Sequence, residues 1–182
     1  MTTFDQHTID TAPESSAKLL EAAKSKYGFV PNLLATMAES PALLEAYMTL
    51  AGIMGKSDLS DTEQQIIMMT NNRLNGCGYC MAAHSTLSEM SGIDTSIINA
   101  LRDNTPIDDK KLEALRQFSI VVNETRGYPT DAQVSAFIEA GYTKQTILEV
   151  ILATSFKVMS NYTNHIANTE VDEAFSKNAW SK

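Results

Sequence analysis

The spacing of the apolar residues is the feature that most constrains how this chain can fold. Apolar side chains recur at helical spacing through almost the whole sequence, and its eight glycines and five prolines fall between these segments. Leu43, Tyr47, Leu50 and Met54 form one such stripe. Alternating runs bounded by hairpin turns are not found. The sequence therefore predicts an all-α fold, a single compact domain over residues 1–182 that begins with a polar arm at 1–13.

Helix boundaries can be placed from capping residues and glycines. Ser60 followed by an acidic first turn is typical of a helix start. The segment 143–167 starts from a Thr143 cap and is apolar nearly all round in its first half, so it is expected to be the central buried helix. Another helix begins between residues 75 and 78 and ends at Gly92.

Composition excludes several classes of partner. A net charge of −8 disfavours a nucleic-acid or anionic-membrane surface, because such surfaces need clustered Lys and Arg. No apolar run approaches the ~18 residues of a membrane span. The N-terminus lacks the basic and apolar regions of a signal peptide, so a cytoplasmic location is expected. In that compartment a cysteine pair is more often catalytic than structural.

The two cysteines, Cys77 and Cys80, are separated by two residues, and His84 follows four residues later. At about 100° per residue, all three side chains occupy one helix face. The cysteines also lie in the first turn, where free N–H groups and the helix dipole favour a thiolate. His84 is one turn below Cys80 and could relay a proton. This spacing suits reversible thiol–disulfide chemistry.

Other interpretations of the three residues remain open. Zinc would need a distant fourth ligand such as His165, although a buried His165 that satisfies a backbone carbonyl is the simpler expectation. Two inert cysteines in a helical core are also compatible with the spacing. Covalent haem is excluded because Met81, not histidine, follows the second cysteine. No cofactor or metal is expected, and His7 is expected to be solvated in the arm.

The stretch LSDTEQQIIMMTNNRLNGCGYCMAAHSTL, residues 59–87, resembles the core motif of the carboxymuconolactone decarboxylase-like superfamily, in its alkylhydroperoxidase D-type branch. The core region is placed at 40–103, and the resemblance extends over roughly residues 15–176. It implies a compact helical alkylhydroperoxidase D-like fold that assembles as a homo-oligomer, a homotrimer or homohexamer.

The resemblance also implies roles for the motif residues. Cys80 would attack a small hydroperoxide or a disulfide, and Cys77 would resolve the intermediate. An external dithiol donor, lipoyl-type or a thioredoxin-like protein, would then reduce the pair. His84 would belong to a proton relay that includes a glutamate of the preceding helix.

The relay position departs from the family pattern. The usual glutamate lies twelve residues before the first cysteine, where this chain has Gln65. An amide cannot accept the thiol proton. Glu63 is the nearest substitute and shares a helix face with Ile67 and Thr70, so it could point inward. Alternatively, Glu63 only interacts with the helix dipole.

Three functional hypotheses follow. The first is an antioxidant-type thiol peroxidase or disulfide oxidoreductase. The second is a decarboxylase-like lyase in which His84 is an acid/base and the cysteines are incidental. The third is a non-catalytic oligomer that senses redox state. Tyr79, inside the motif, could line a pocket or only pack.

Overall fold

The computed structural model describes residues 3–182 and contains helices but no strand in that range, which confirms the all-α prediction. The first two residues of the arm predicted at 1–13 lie outside the described residues. The helices are α1 Glu14–Tyr27, α2 Asn32–Met37, α3 Pro41–Met54, α4 Asp61–Leu74, α5 Gly78–Met90, α6 Thr95–Asp103, α7 Lys110–Glu124, α8 Asp131–Glu139 and α9 Lys144–Ala167, followed by a 3₁₀-helix at Glu173–Asn178.

The predicted helix starts at Ser60 and Thr143 are confirmed. The Ser60 hydroxyl accepts a hydrogen bond from the Glu63 amide, and the Glu63 carboxylate accepts one from the Ser60 amide at 2.9 Å. This capping box satisfies N–H groups that have no partner within the helix. Thr143 and Thr146 form the corresponding pair at the start of α9.

The core has two hydrophobic clusters. The larger one is built mainly from α4, α6, α7, α8 and the first half of α9. The smaller one is formed by α1, α2, α3, the start of α5 and Phe175, and it contains both cysteines. Helix α9 packs against α2, α3, α4, α5 and α7, so it runs past both clusters. Its central place agrees with the prediction from its apolar composition.

The first half of α9 is not buried on all sides, which corrects the sequence-based expectation. Leu148 is 66% exposed and Ile151 48% exposed, and Tyr162 and Ile166 continue the same exposed side toward the C-terminus. The apolar residues of α9 therefore divide between the core and an exposed apolar face. Assembly into a homotrimer or homohexamer stays a prediction.

The polar arm is held against the helices, contrary to the expectation that His7 is solvated. The His7 Nε2 atom lies 2.6 Å from the Glu39 carboxylate, and the His7 amide donates to the Ala35 carbonyl at 3.1 Å. Ile9 and Ala12 pack against the smaller cluster. Over residues 3–182, no helix combines the length and the apolar character that crossing a membrane requires.

The C-terminal segment covers the start of the cysteine helix. A side chain at Gly78 would place its Cβ 2.8 Å from the Trp180 carbonyl oxygen, closer than such atoms can approach. Arg102 of α6 holds the same segment by donating to the Asn178 carbonyl at 3.1 Å and to the Ala179 carbonyl at 3.2 Å. Glycine at 78 therefore allows the chain end to lie directly over α5.

Candidate functional site

Both cysteines lie at the beginning of α5. Cys77 is the N-cap residue and Cys80 lies in the first turn. Both are reduced and almost fully buried. The side-chain amide of Asn164, from α9, donates to the Cys80 sulfur at 3.2 Å and reaches the Cys77 sulfur at 3.7 Å. A hydrogen-bond donor from another helix thus contacts the pair, which sequence reasoning did not anticipate.

His84 lies one turn after Cys80 on the same helix, as predicted, and both of its ring nitrogens have partners. Its Nε2 atom is 2.9 Å from the Lys157 ammonium, and its Nδ1 atom is 2.8 Å from Oε1 of Gln65. Because a lysine ammonium can only donate, Nε2 must accept. Nδ1 then carries the proton and donates it to the Gln65 carbonyl oxygen. The contacts define a neutral imidazole of one tautomer.

Lys157 is the functional candidate that the sequence analysis missed. It lies in the middle of α9 and is fully buried. A signal for it existed in the sequence: Lys157 is four residues after Ala153 and three before Ser160, so it shares the buried face of the helix. A lysine on such a face is rare unless it has a partner or a function.

The cysteine pair has an asymmetric charge distribution. Burial opposes ionisation of Cys80, but a hydrogen bond from Cys77 and the positive charge of Lys157 lower the pKa of the Cys80 thiol. The hydrogen bond to Cys80 and burial raise the pKa of Cys77. These effects favour ionisation of Cys80 and oppose ionisation of Cys77. Burial, and then the charge of Lys157, hold the pKa of His84 well below its usual value.

The structure does not bring Glu63 to this group. Its carboxylate accepts from the Ser60 amide at 2.9 Å and from the Ser60 hydroxyl at 2.8 Å. Partial burial acts in the opposite direction, but these hydrogen bonds keep the pKa of Glu63 below its usual value. The residue beside His84 is Gln65, at the relay position of the family pattern. Glu63 thus has the local role at the helix start that the sequence analysis left as the alternative.

A cavity of about 380 Å³ is lined in part by Cys80. His84 and Lys157 line it together with Cys80, whereas Cys77 does not. Its walls are mainly aromatic and aliphatic, from Tyr27, Phe29, Leu34, Tyr47, Leu87 and Phe175. A mostly apolar cavity with a few convergent polar groups is the usual form of a small-molecule site.

Tyr79 both lines this cavity and fixes the chain around it. Its hydroxyl donates to the Asp172 carboxylate at 2.6 Å and accepts from the Leu33 amide at 3.2 Å. Asp172 also accepts from the Asn32 amide at 3.0 Å. The tyrosine thereby joins the cysteine helix, the start of α2 and the C-terminal segment.

A chain of asparagines, of which Asn72 and Asn161 are fully buried and Asn75 is half-buried, supports the first turn of α5. Asn72 donates to the Cys80 carbonyl at 3.2 Å, and Asn161 donates to the Asn72 side-chain oxygen at 3.0 Å. Asn75 in turn donates to the Asn161 oxygen at 2.8 Å. Because these polar groups are buried, each depends on the next for its hydrogen bonds. The network fixes the backbone of the first turn of α5 relative to α4 and α9.

The zinc interpretation required a distant fourth ligand such as His165. His165 is exposed in the last turn of α9, not buried as expected. No group of three or more His, Cys, Asp or Glu side chains within residues 3–182 is arranged to hold a metal ion.

The structure defines an all-helical protein with a two-cysteine site at a helix start, and comparisons show which known proteins it resembles. The sequence pattern of the Carboxymuconolactone decarboxylase family matches residues 41–109. A peroxidase-related protein from Ralstonia eutropha JMP134, described as an alkylhydroperoxidase AhpD core, has 21% sequence identity and a TM-score of 0.84. That likeness covers 94% of this chain and 93% of the other. No curated protein sequence matches significantly.

Two further solved structures have the same fold. A peroxidase-related protein from Silicibacter sp. TM1040 has 21% identity and a TM-score of 0.80, over 95% of this chain and 93% of its own. The debrominase Bmp8, as a C82A variant in complex with 2,3,4-tribromopyrrole, has 15% identity and a TM-score of 0.81, over 98% and 96%. The family match over residues 41–109 and the shared alkylhydroperoxidase D-type fold confirm the resemblance to the carboxymuconolactone decarboxylase-like superfamily noted in the sequence.

Proposed function

We propose that this protein is a thiol-dependent peroxidase or disulfide oxidoreductase that works through Cys80 and Cys77. One observation carries the proposal: Cys80 lines the cavity and Cys77 does not, while the hydrogen bond from Cys77 and the charge of Lys157 favour the Cys80 thiolate. A low-pKa thiolate at the end of a substrate-sized cavity is the arrangement that a nucleophilic cysteine requires.

The chemistry divides between the two sulfurs. The Cys80 thiolate attacks the distal oxygen of a hydroperoxide, the O–O bond breaks, and the leaving alkoxide takes up a proton, which gives an alcohol and a sulfenic acid. The Cys77 thiol then attacks the sulfenic sulfur and displaces water, which forms the disulfide. An external dithiol, lipoyl-type or from a thioredoxin-like protein, reduces that disulfide and becomes oxidised itself. The sum is one hydroperoxide and one dithiol consumed for one alcohol, one water and one disulfide.

Other groups of the site have supporting roles in this proposal. Asn164 donates to the sulfurs and stabilises negative charge on Cys80. Neutral His84 has its Nε2 lone pair directed at Lys157, so a proton can pass between these two groups close to the reacting sulfur. Gln65 holds the imidazole in one tautomer but, as an amide, does not take the proton.

Single cysteine variants test the proposal. Cys80→Ser should abolish consumption of an organic hydroperoxide in the presence of a lipoyl dithiol. Cys77→Ser should still consume one equivalent of peroxide in a single turnover and then accumulate a sulfenic acid that dimedone traps, detected by mass spectrometry. Wild-type turnover in both variants would exclude the mechanism. Activity on a small carboxylate that survives loss of both cysteines would instead indicate the lyase hypothesis, and a reactive disulfide without turnover would indicate the redox sensor.

A second candidate is reductive dehalogenation of a small halogenated aromatic compound. The aromatic walls of the cavity, including Tyr47 and Phe175, favour it because flat rings stack on such side chains. In that reaction the two thiols would supply two electrons, the carbon–halogen bond would be replaced by carbon–hydrogen, and a disulfide and a hydrogen halide would form. Bromide release from a brominated pyrrole, measured beside peroxide consumption, distinguishes the two candidates.

A further inference from the structure

Lys157 is a buried cation that has no carboxylate partner in the part of the chain that the structure describes. The ion pairs found within residues 3–182 are His7–Glu39, Glu113–Arg116 and Glu89–Lys177, and none of them involves Lys157. The side chain itself is fully buried, with its ammonium against His84 and near the ring of Phe156. Burying an unpaired ammonium is costly, so a compensating negative charge is expected close by.

The groups that face Lys157 identify the compensating charge. Helix α5 presents Cys77, Cys80 and His84, and α3 presents Tyr47, which lines the same cavity. Gln65 of α4 lies on the other side of the His84 ring. Lys26, across the cavity on α1, is another cation. Gln65 and neutral His84 carry no negative charge, and burial raises the pKa of Tyr47. The hydrogen bond to Cys80 and burial raise the pKa of Cys77 as well, so the Cys80 thiol is the remaining group here that can become an anion near neutral pH.

We propose that Lys157 is the counter-ion of the Cys80 thiolate and makes the Cys77–Cys80 disulfide strongly oxidising. This inference rests on the proposed redox function of the pair. Closing the disulfide removes the thiolate and leaves Lys157 buried without compensation. Reduction restores the thiolate–ammonium pair. Because the reduced form is the one that is stabilised, the equilibrium lies toward reduction, as it does for disulfide oxidants in general.

The proposal fixes the proton balance of the exchange with glutathione. The protein disulfide and two glutathione thiols give glutathione disulfide, Cys80 as thiolate, Cys77 as thiol and one released proton. Raising the pH by one unit should therefore favour the reduced protein tenfold, between pH 6 and 7.5, where glutathione itself stays protonated. If Cys80 were an ordinary thiol, no proton would be released and the equilibrium constant would not change over that range.

The test measures this equilibrium constant at several pH values for the wild-type protein, Lys157→Met and Lys157→Arg. Lys144→Met, an exposed lysine at the start of the same helix, is the matched control. Wild type and Lys144→Met should show the tenfold change per pH unit, and Lys157→Arg, which keeps the charge, should retain it. Lys157→Met should show no pH dependence, and at pH 7 its equilibrium should lie at least tenfold further toward the disulfide, about 30 mV.

Each other result has a defined meaning. A pH-independent constant in the wild type, or an unchanged slope and constant in Lys157→Met, would overturn the role of Lys157. If Lys157→Met does not fold, the proposal is decided by the pH dependence of the wild-type equilibrium constant, together with a pH titration of the thiolate absorbance at 240 nm. If the wild-type protein forms no disulfide in glutathione buffers, the proposed redox function fails. In that case, the absorbance titrations of reduced wild type and Lys157→Met still decide whether Lys157 stabilises the thiolate.

Discussion

The Lys157 ammonium lies 2.9 Å from Nε2 of His84, and on the opposite side of the ring Nδ1 lies 2.8 Å from the Gln65 side-chain oxygen. The imidazole is thus held between a cation and an amide. A carboxylate at position 65 would favour a protonated imidazole, whereas the observed pair favours a neutral one. The positive charge next to Cys80 accordingly resides on lysine and not on histidine.

Replacing Gln65 with glutamate should favour the protonated form of His84. In Gln65→Glu a carboxylate faces Nδ1, and an opposite charge at that distance raises a histidine pKa by about 1–3 units. We expect the pKa of His84 to rise. The pH dependence of the NMR signals of its ring carbons measures this change. The signals of His7 and His165, which lie outside this site, serve as internal controls. An unaltered His84 titration would contradict the assigned contact.

Removing the amide of Asn164 should make Cys80 less reactive. Asn164→Ala removes the donor at 3.2 Å from the Cys80 sulfur, and a hydrogen bond to a charged group contributes about 1.5–3 kcal/mol. Alkylation by iodoacetamide at pH 6 should therefore slow about tenfold or more. Asn164→Asp, which puts a carboxylate beside the thiolate, should slow it further.

The neighbouring residue supplies the control for that experiment. Thr163→Ala changes a side chain whose hydroxyl bonds the Met159 carbonyl of its own helix, so the alkylation rate should stay within twofold of the wild type. Equal rates in wild type and Asn164→Ala would show that the amide does not stabilise the thiolate.

Glu63→Ala should affect stability and not thiol reactivity. Loss of the capping box should lower the free energy of unfolding by about 0.5–2 kcal/mol at pH 7. The folded-state pKa of Glu63 is below its unfolded value, so this contribution is present above the unfolded pKa and is lost as pH falls through the folded one. Urea unfolding at pH 7 and pH 3 should show a smaller difference between variant and wild type at pH 3. Slower alkylation of Cys80 in Glu63→Ala would support the relay role instead.

Alanine substitution at Gly78 and at Gly52 should have opposite effects on the stability of the fold. Gly78→Ala places a Cβ 2.8 Å from the Trp180 carbonyl, so the C-terminal segment must shift and the melting temperature should fall by several degrees. Gly52→Ala, in α3 with no atom within 4 Å, should raise stability by about 0.4–1 kcal/mol because alanine loses less conformational entropy. Calorimetry of both variants measures the contrast. A Gly78→Ala protein as stable as the wild type would show that the segment does not lie against α5.

Much of the helical architecture could be predicted from local signals. Capping at Ser60 and Thr143, and the apolar stripe of α3, depend on residues within a few positions of each other, which is the range over which helix formation is decided. The same holds for Cys77, Cys80 and His84, because three residues of one helix segment share a face by geometry alone. The prediction of a buried α9 was wrong for Leu148 and Ile151, which are exposed. Composition does not show which side of an apolar helix packs against other helices.

The environment of the cysteines could be decided only by the tertiary structure. Asn164 lies 84 residues from Cys80 in sequence and Lys157 lies 73 residues from His84, so their contacts exist only because α9 packs beside α5. Sequence by itself determined which sulfurs and which imidazole share a helix face. Packing of distant helices determined which cysteine lines the cavity and which charged residue lines it as well, because burial and electrostatic interactions depend on distances in space and not along the chain.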